Sequence, residues 1–108
     1  MLLSDIAHLR TGDKGDTSQI SVIAYRQEDF PLIAREVTIA RVLAHLAKLR
    51  VSKAIRYEIA ALGALNFVLE GALDGGVTRS LALDAHGKSL GAQLLDLSID
   101  IFAGEFDR

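Results

Sequence analysis

Seven residues near the start of the chain, Arg10–Asp16, combine four charged side chains with two glycines. Glycine permits tight turns and lets several backbone N–H groups approach one point. Charges of both signs at this spacing cost free energy unless they pair or hold a ligand. We therefore expect a functional site here, on a loop between two strands that is longer than a two-residue hairpin turn. The candidate residues are Arg10, Gly12, Asp13, Lys14, Gly15 and Asp16.

The chemistry that this segment could perform is the binding of an anion. Lys14 and the backbone N–H groups around the glycines would meet a carboxylate or phosphate, and Arg10 can bind such a group through two parallel hydrogen bonds. The two aspartates could instead offer oxygen atoms to Mg²⁺, but two carboxylates alone make a weak metal site, so we expect no metal and no other cofactor. In the structural interpretation, the charges pair with each other or with a neighbouring subunit. The spacing matches no nucleotide-binding fingerprint.

Two further positions are candidates for the same ligand. Arg79 follows the turn Gly75–Gly76 near the start of an expected strand, and it could close over the ligand or form a simple surface salt bridge. Asn66 is a lone amide in an apolar stretch, where an unpaired buried amide costs roughly 1–3 kcal/mol. We expect Asn66 to bond the backbone of an adjacent loop, or to orient Arg79 or Lys14.

Catalytic groups are hard to assemble from this sequence. His8 could lie on the same sheet face as Arg10 and act as a general base, but a single strand histidine is more often structural. No histidines have metal-ligand spacing, and no Ser-His-Asp arrangement is indicated. By parity, Arg56 and Glu58 form a solvated charge pair on the less apolar sheet face, and Glu58 could also meet Arg10. These patterns favour a protein without catalytic activity of its own.

Composition excludes several function classes. The chain of 108 residues has a formal net charge of −2 and no basic run, which argues against nucleic-acid binding. Cysteine is absent, so disulfides, thiolate catalysis and cysteine-based zinc or iron–sulfur sites are excluded. The longest apolar region, Ile59–Leu73, is interrupted and is shorter than the roughly 20 residues of a membrane span. Because no signal peptide is visible, we expect a cytoplasmic protein that binds no membrane.

The scaffold for these residues should be a single domain over residues 1–108, with a loose tail at 102–108. Thr38 is the expected N-cap of a helix whose apolar stripe runs from Ile39 to Leu49. The apolar stretch 61–72 is interpreted as a short buried helix. Alternation of apolar residues predicts strands at 3–10, 18–26, 53–59 and 77–83, and the apolar face of a last helix consists of Leu90, Leu94, Leu97 and Ile101.

The predicted fold class is α+β, with a four-stranded, mainly antiparallel sheet and helices on one face. Four separated motifs then indicate a family, because together they resemble the C-terminal ferredoxin-fold domain of the acyclic terpene utilization protein A family. The resemblance covers about Leu9 to Leu97, and it implies a permuted or decorated ferredoxin-like fold. Ala60 and Ala61 depart from the family pattern, which has a proline near this position. The motifs are Arg10–Asp16, Tyr57–Glu58, Ala64–Phe67 and Gly75–Leu81.

The resemblance also implies a setting in the bacterial breakdown of branched acyclic compounds through CoA thioesters. In that family the domain usually follows a much larger N-terminal domain. The first hypothesis is therefore an accessory or small-subunit domain that contributes its charged segment to an anion site or to an interface with a larger chain, or that forms a homo-oligomer. The second is an autonomous enzyme or binding protein for CoA thioesters or carboxylic acids, with Asp13, Asp16 or His8 handling a proton. The third is a pure oligomerisation domain that would depend on Phe102 or Phe106.

Overall fold

The computed structural model describes residues 1–14, 17–46, 51–71 and 93–101. The strands are β1 (Ala7–Lys14), β2 (Thr17–Ala24), β3 (Lys53–Ile59) and β4 (Ala64–Glu70), and the helices are α1 (Phe30–Glu36) and α2 (Ile39–His45). The four strands form one sheet in the order β1-β2-β4-β3, and every neighbouring pair is antiparallel. The α+β class and the antiparallel sheet are therefore confirmed.

The connection between β2 and β3 gives the sheet its ferredoxin-like character. Both strands are antiparallel to β4, so they run parallel to each other with β4 inserted between them. The chain crosses from β2 to β3 through α1 and α2, which makes a split β-α-β unit. In the unpermuted β-α-β-β-α-β order, the strand that begins the split unit also pairs, on its outer side, with the last strand of the chain. In this protein β2 begins the split unit, and its outer neighbour is β1, which comes first in the chain. The fold is therefore a permuted version.

The β1–β2 hairpin is tighter than expected. β1 continues through Lys14, β2 begins at Thr17, and these two residues are register partners. The prediction of a long loop over Arg10–Asp16 is therefore wrong, because its first five residues belong to a strand. An extended backbone suits them because β1 lies at an edge of the described sheet, where Arg10 and Gly12 remain exposed.

The stretch predicted as a buried helix, 61–72, is instead the inner strand β4, preceded by the 3₁₀ turn Ala60–Leu62. With a strand on each side and helices over one face, β4 is apolar enough to resemble a buried helix in the sequence. Two glycines in left-handed backbone conformation bound the strand, Gly63 (φ 62°) and Gly71 (φ 80°). Leu65, Phe67 and Leu69 alternate along it as fully buried core residues.

The helices cover one face of the sheet. α1 carries Pro31 in its first turn, where the missing N–H has no intrahelical partner to lose. α2 begins after Thr38, whose hydroxyl oxygen accepts the Arg41 backbone N–H at 3.2 Å, so the predicted N-cap is confirmed. Their apolar side chains pack with those of β2 and β4. The fully buried members of this core include Ile20, Val22, Ile33, Val37, Val42, Leu65, Phe67 and Leu69.

The last described segment leaves the helical conformation after residue 95, so the predicted helix is present at Leu94 but wrong at Leu97 and Ile101. Only residues 93–95 are helical, and Ser98 forms an isolated antiparallel bridge with Leu2. Hydrogen bonds of 2.8 Å join Leu3 N–H to the Leu97 carbonyl and the Ile99 N–H to the Met1 carbonyl. Leu97 and Ile99 point into the core at strand spacing, a period of two that the helical pattern masked.

One other prediction differs in extent, and three lie outside the described residues. Residues 3–5 form a 3₁₀ turn, so the first strand begins at Ala7 and not at residue 3. The predicted strand at 77–83, the end of the α2 stripe at Leu49 and the tail at 102–108 lie outside the described residues.

Candidate functional site on the open sheet face

The sheet has one face packed by α1 and α2 and one that the described helices leave uncovered, which we call the open face. Side chains of β2 alternate between the two: Ser18, Ile20 and Val22 are buried under the helices, while Gln19 is exposed on the open face. Register pairing extends this alternation across the sheet. The described side chains of the open face are those of His8, Arg10, Thr17, Gln19, Ser21, Ile23, Lys53, Ile55, Tyr57, Ile59, Ala64, Asn66, Val68 and Glu70.

A single transverse row of polar residues crosses the open face. Arg10 pairs with Ser21, Ser21 pairs with Asn66, and Asn66 pairs with Tyr57, one residue from each strand. Directly opposed residues have Cβ atoms about 4.5–5.5 Å apart, so each member lies beside the next. Two of the predicted site residues, Arg10 and Asn66, thus share a row, with Ser21 between them. We call Arg10, Ser21, Asn66 and Tyr57 the polar row.

Asn66 does not have the environment expected of it. It lies half-buried on a strand, not in a helix, and its Nδ2 donates to Ser21 Oγ at 2.8 Å. The partner is therefore a side chain on the neighbouring strand and not the backbone of a loop. Sequence reasoning missed Ser21 because its importance depends on register alone, and a serine in a strand carries no distinctive pattern.

The charged segment divides between the described residues and those outside them. Arg10 is exposed and makes no hydrogen bond or ion pair with another residue of the described ranges. Gly12 has ordinary strand backbone, and a Cβ placed on it would meet nothing within 4 Å, so neither conformation nor close contact requires glycine there. Asp13 is the register partner of Ser18. The predicted site residues Gly15, Asp16 and Arg79 lie outside the described residues, and Lys14 is described through its backbone pairing alone.

His8 lies on the same face as Arg10, as predicted. Its ring stacks on Tyr25, with centroids 5.2 Å apart and an interplanar angle of 26°. Across the sheet, His8 pairs with Ile23, Ile23 with Ala64 and Ala64 with Ile59. A row of apolar residues therefore lies next to the polar row. We call Ile23, Ala64 and Ile59 the apolar row.

Large apolar and aromatic side chains are exposed on or beside the open face. Tyr25 is 63% exposed, Tyr57 50% and Ile59 40%, and Leu62 is 68% exposed at the β3–β4 turn. Aromatic residues and arginine are enriched in the buried centres of protein interfaces. The open face therefore has a composition typical of protein interfaces.

The Arg56–Glu58 pair is present but lies on the other face. Arg56 Nη2 contacts Glu58 Oε2 at 2.6 Å, and Arg56 Nη1 donates to the carbonyls of Ala34 and Val37 at 2.7 and 2.8 Å. The expectation that Glu58 could meet Arg10 is wrong, because the two residues lie on strands at opposite edges of the sheet and on opposite faces. Arg56 instead reaches the carboxyl end of α1. The Arg56 guanidinium donates to carbonyl groups at the end of α1 that have no intrahelical partner.

A second cluster, which the sequence did not indicate, surrounds Glu36 at the end of α1. Its carboxylate accepts from the Asp100 N–H at 3.0 Å, Arg35 Nε at 2.9 Å and Arg41 Nη1 at 3.2 Å. Arg41 also donates to the Ser98 carbonyl at 2.7 Å. Burial raises the pKa of Glu36, but the hydrogen bonds and the two guanidiniums lower that pKa by more, so it lies below its ordinary value. The cluster holds the last described segment against the helices.

Within the described ranges, no three metal-ligating side chains of His, Asp or Glu come together. His45 Nε2 lies 2.6 Å from the Gln93 carbonyl oxygen. No helix that the structure describes has the length and hydropathy needed to cross a membrane.

Comparison with known proteins identifies the family. The model of the AtuA ferredoxin-like domain matches residues 1–100 of the 108-residue chain. No curated protein and no solved structure matches it significantly. The match confirms the resemblance that the four motifs indicated, and it agrees with the split β-α-β sheet. The chain therefore belongs to the AtuA ferredoxin-like domain family.

Proposed function

We propose that this domain is an accessory module of an AtuA-type protein and that it docks on a larger AtuA-type chain through the open face. The observation that carries the proposal is the exposure of Tyr57 and Ile59 at one edge of that face, with Tyr25 and Arg10 toward the other. Solvated sheet faces usually carry polar side chains, so exposed aromatic and aliphatic groups here favour burial against a partner.

The charged segment Arg10–Asp16 would contribute to the same interface. Arg10 belongs to the polar row, and the segment continues along β1 as far as Lys14. Charges at the margin of an interface set orientation and association rate more than affinity. In this proposal the tyrosines provide the binding energy and the segment provides the register between the two chains.

The test is co-expression of the tagged domain with the larger AtuA-type chain of its source organism, followed by measurement of the affinity of the purified pair. Tyr57→Ala should weaken the complex at least tenfold, since buried interface tyrosines are frequent hot spots. The matched control is Leu2→Ala, which truncates a side chain that is 42% exposed away from the open face and should change affinity less than twofold.

Three other outcomes would each replace this proposal. An unchanged affinity of Tyr57→Ala would remove the open face from the interface. A domain that is dimeric by light scattering and becomes monomeric with Tyr57→Ala would make the face a homo-oligomer contact. A monomer that binds no larger chain would leave the alternative, an autonomous binding protein or enzyme for carboxylic acids or CoA thioesters.

A further inference from the structure

The hydrogen bond between Asn66 and Ser21 determines what Ser21 can offer to a ligand. Ser21 Oγ accepts from Asn66 Nδ2 at 2.8 Å, so one lone pair of the hydroxyl is used. A serine hydroxyl has one O–H donor in addition to its acceptor sites. No other side-chain bond to Ser21 occurs among the described residues, and its O–H hydrogen is left to point away from Asn66.

The next residue of the polar row adds a second donor. Arg10 pairs directly with Ser21, is exposed, and has no acceptor among the described side chains. A guanidinium carries five N–H donors in a planar fork that matches the two oxygens of a carboxylate. Arg10 and Ser21 therefore present a cation and a neutral donor side by side on one face.

The balance of charge favours an acceptor with a single negative charge. One guanidinium matches one carboxylate, whereas a phosphate dianion would need more positive charge than Arg10 supplies. A carboxylate bound by Arg10 and Ser21 satisfies both donors without excess charge.

The apolar row supplies the second half of the site through Ile23. Ile23 is half-buried and follows Ser21 on the same face of β2. The next member of the row, Ala64, is buried, and Ile59 lies two strands from Ser21, about 10 Å away and beyond the reach of a short chain held there. A molecule with a carboxylate at one end and a short apolar body would place its charge on Arg10 and Ser21 and its body on Ile23.

We propose that Arg10 and Ser21, with Asn66 as the residue that positions the Ser21 hydroxyl, bind the carboxylate of a small organic acid whose apolar body lies on Ile23. The site goes beyond the docking proposal but lies on the same face, so the acid would bind Arg10 and Ser21 while the larger chain is absent. It is tested on the free domain, where a failure to bind leaves the docking proposal standing. Because the face is flat and one side of the ligand stays in water, binding to the free domain is expected to be weak.

The experiment is a titration of the ¹⁵N-labelled domain followed by NMR, with hexanoate, hexanamide and acetate as probes. Hexanoate should give saturable shifts of the Arg10 Nε–H, the Ser21 amide and the Asn66 side-chain amide. Hexanamide lacks the charge and acetate lacks the apolar body, so each should bind at least tenfold more weakly than hexanoate. Arg10→Ala and Ser21→Ala should each reduce hexanoate affinity about tenfold, the value of one hydrogen bond to a charged group.

The matched control is Arg26→Ala, which removes an exposed arginine paired with Glu28 at 3.7 Å and outside the open face. This variant should bind hexanoate like the unaltered domain. Equal shifts at Arg26 and Arg10 would overturn the site as unspecific ion pairing, and equal affinity for hexanamide would overturn carboxylate recognition. Retained affinity in Ser21→Ala would remove Ser21 and Asn66 from the site. Each variant spectrum also reports whether the fold is intact.

Discussion

Replacing Glu36 by glutamine removes one negative charge from the cluster that joins α1, α2 and the last described segment. Glutamine keeps one carbonyl oxygen, which can still accept the Asp100 N–H, but its amide NH₂ must take the place of the oxygen that accepts from Arg35. The Glu36 side chain is only 12% exposed, so water replaces the lost contacts poorly.

The magnitude follows from the three contacts. Arg35 and Arg41 have about a third of their side-chain surface exposed, and ion pairs so screened contribute about 0.2–1 kcal/mol each. A hydrogen bond to a charged group contributes about 1.5–3 kcal/mol, and the Asp100 N–H loses part of that when its acceptor becomes neutral. We expect Glu36→Gln to lower the free energy of unfolding by about 2 kcal/mol at neutral pH.

The pH dependence has a definite sign. The pKa of Glu36 is lowered in the folded state, so its contribution is fully present above the ordinary value of 4.5 and is lost as pH falls through the folded value. Urea denaturation of both proteins at about pH 7 and about pH 3 should therefore show a difference that shrinks at the lower pH.

The control is Glu58→Gln, since Glu58 also pairs with an arginine but is 53% exposed. It should cost less than about 0.5 kcal/mol at neutral pH. A Glu36→Gln difference that is absent at neutral pH, or equally large at about pH 3, would refute the assignment of this stabilisation to the ionised carboxylate.

Three further changes test the scaffold by thermal or urea denaturation. Thr38→Ala removes the N-cap bond of α2 and should cost about 1 kcal/mol; Thr38→Ser should recover most of it. Gly63→Ala should cost more than about 1 kcal/mol, because its φ is 62° and the new methyl group would collide with the Gln27 side chain, whereas Gly12→Ala, with open space around it, should be neutral or stabilising. Arg56→Lys should cost about 1–2 kcal/mol, because a lysine cannot serve both α1 carbonyls and Glu58 together; an unchanged stability would show that these bonds contribute little.

Local patterns predicted the elements that depend on local chemistry. The N-cap at Thr38 and the strand at Lys53–Ile59 could be predicted from neighbouring residues alone, and both are present. The prediction of a helix for the apolar run Ala64–Glu70 is wrong because inner strands and buried helices contain similar apolar residues. Only the pairing of this segment with its neighbouring strands distinguishes the two. The prediction of a long loop in the first hairpin is wrong because glycines and charged residues favour loops in a sequence, although an edge strand tolerates both.

The candidate site could be predicted only in part for a related reason. Arg10, Asn66 and His8 were selected by residue type, and all three lie on one face. What makes them a set is the register that brings Ser21 between Arg10 and Asn66, and register depends on hydrogen bonds between strands distant in sequence. The Glu36 cluster could not be predicted from the sequence either, because Asp100 contacts Glu36 only when the last described segment folds against the helices.

The bridge between Leu2 and Ser98 has a consequence for the order of folding. It joins residues separated by almost the whole chain, so the loop that it closes is among the longest closed by the described contacts, and the entropy lost on closing it is correspondingly large. Such a contact forms late, after the sheet has brought its two ends together, and it opens first when the native state fluctuates. The amides of Leu3 and Ile99 should therefore exchange with solvent faster than those of β2 and β4, and we expect the contact between the two ends of the described chain to open while the sheet remains intact.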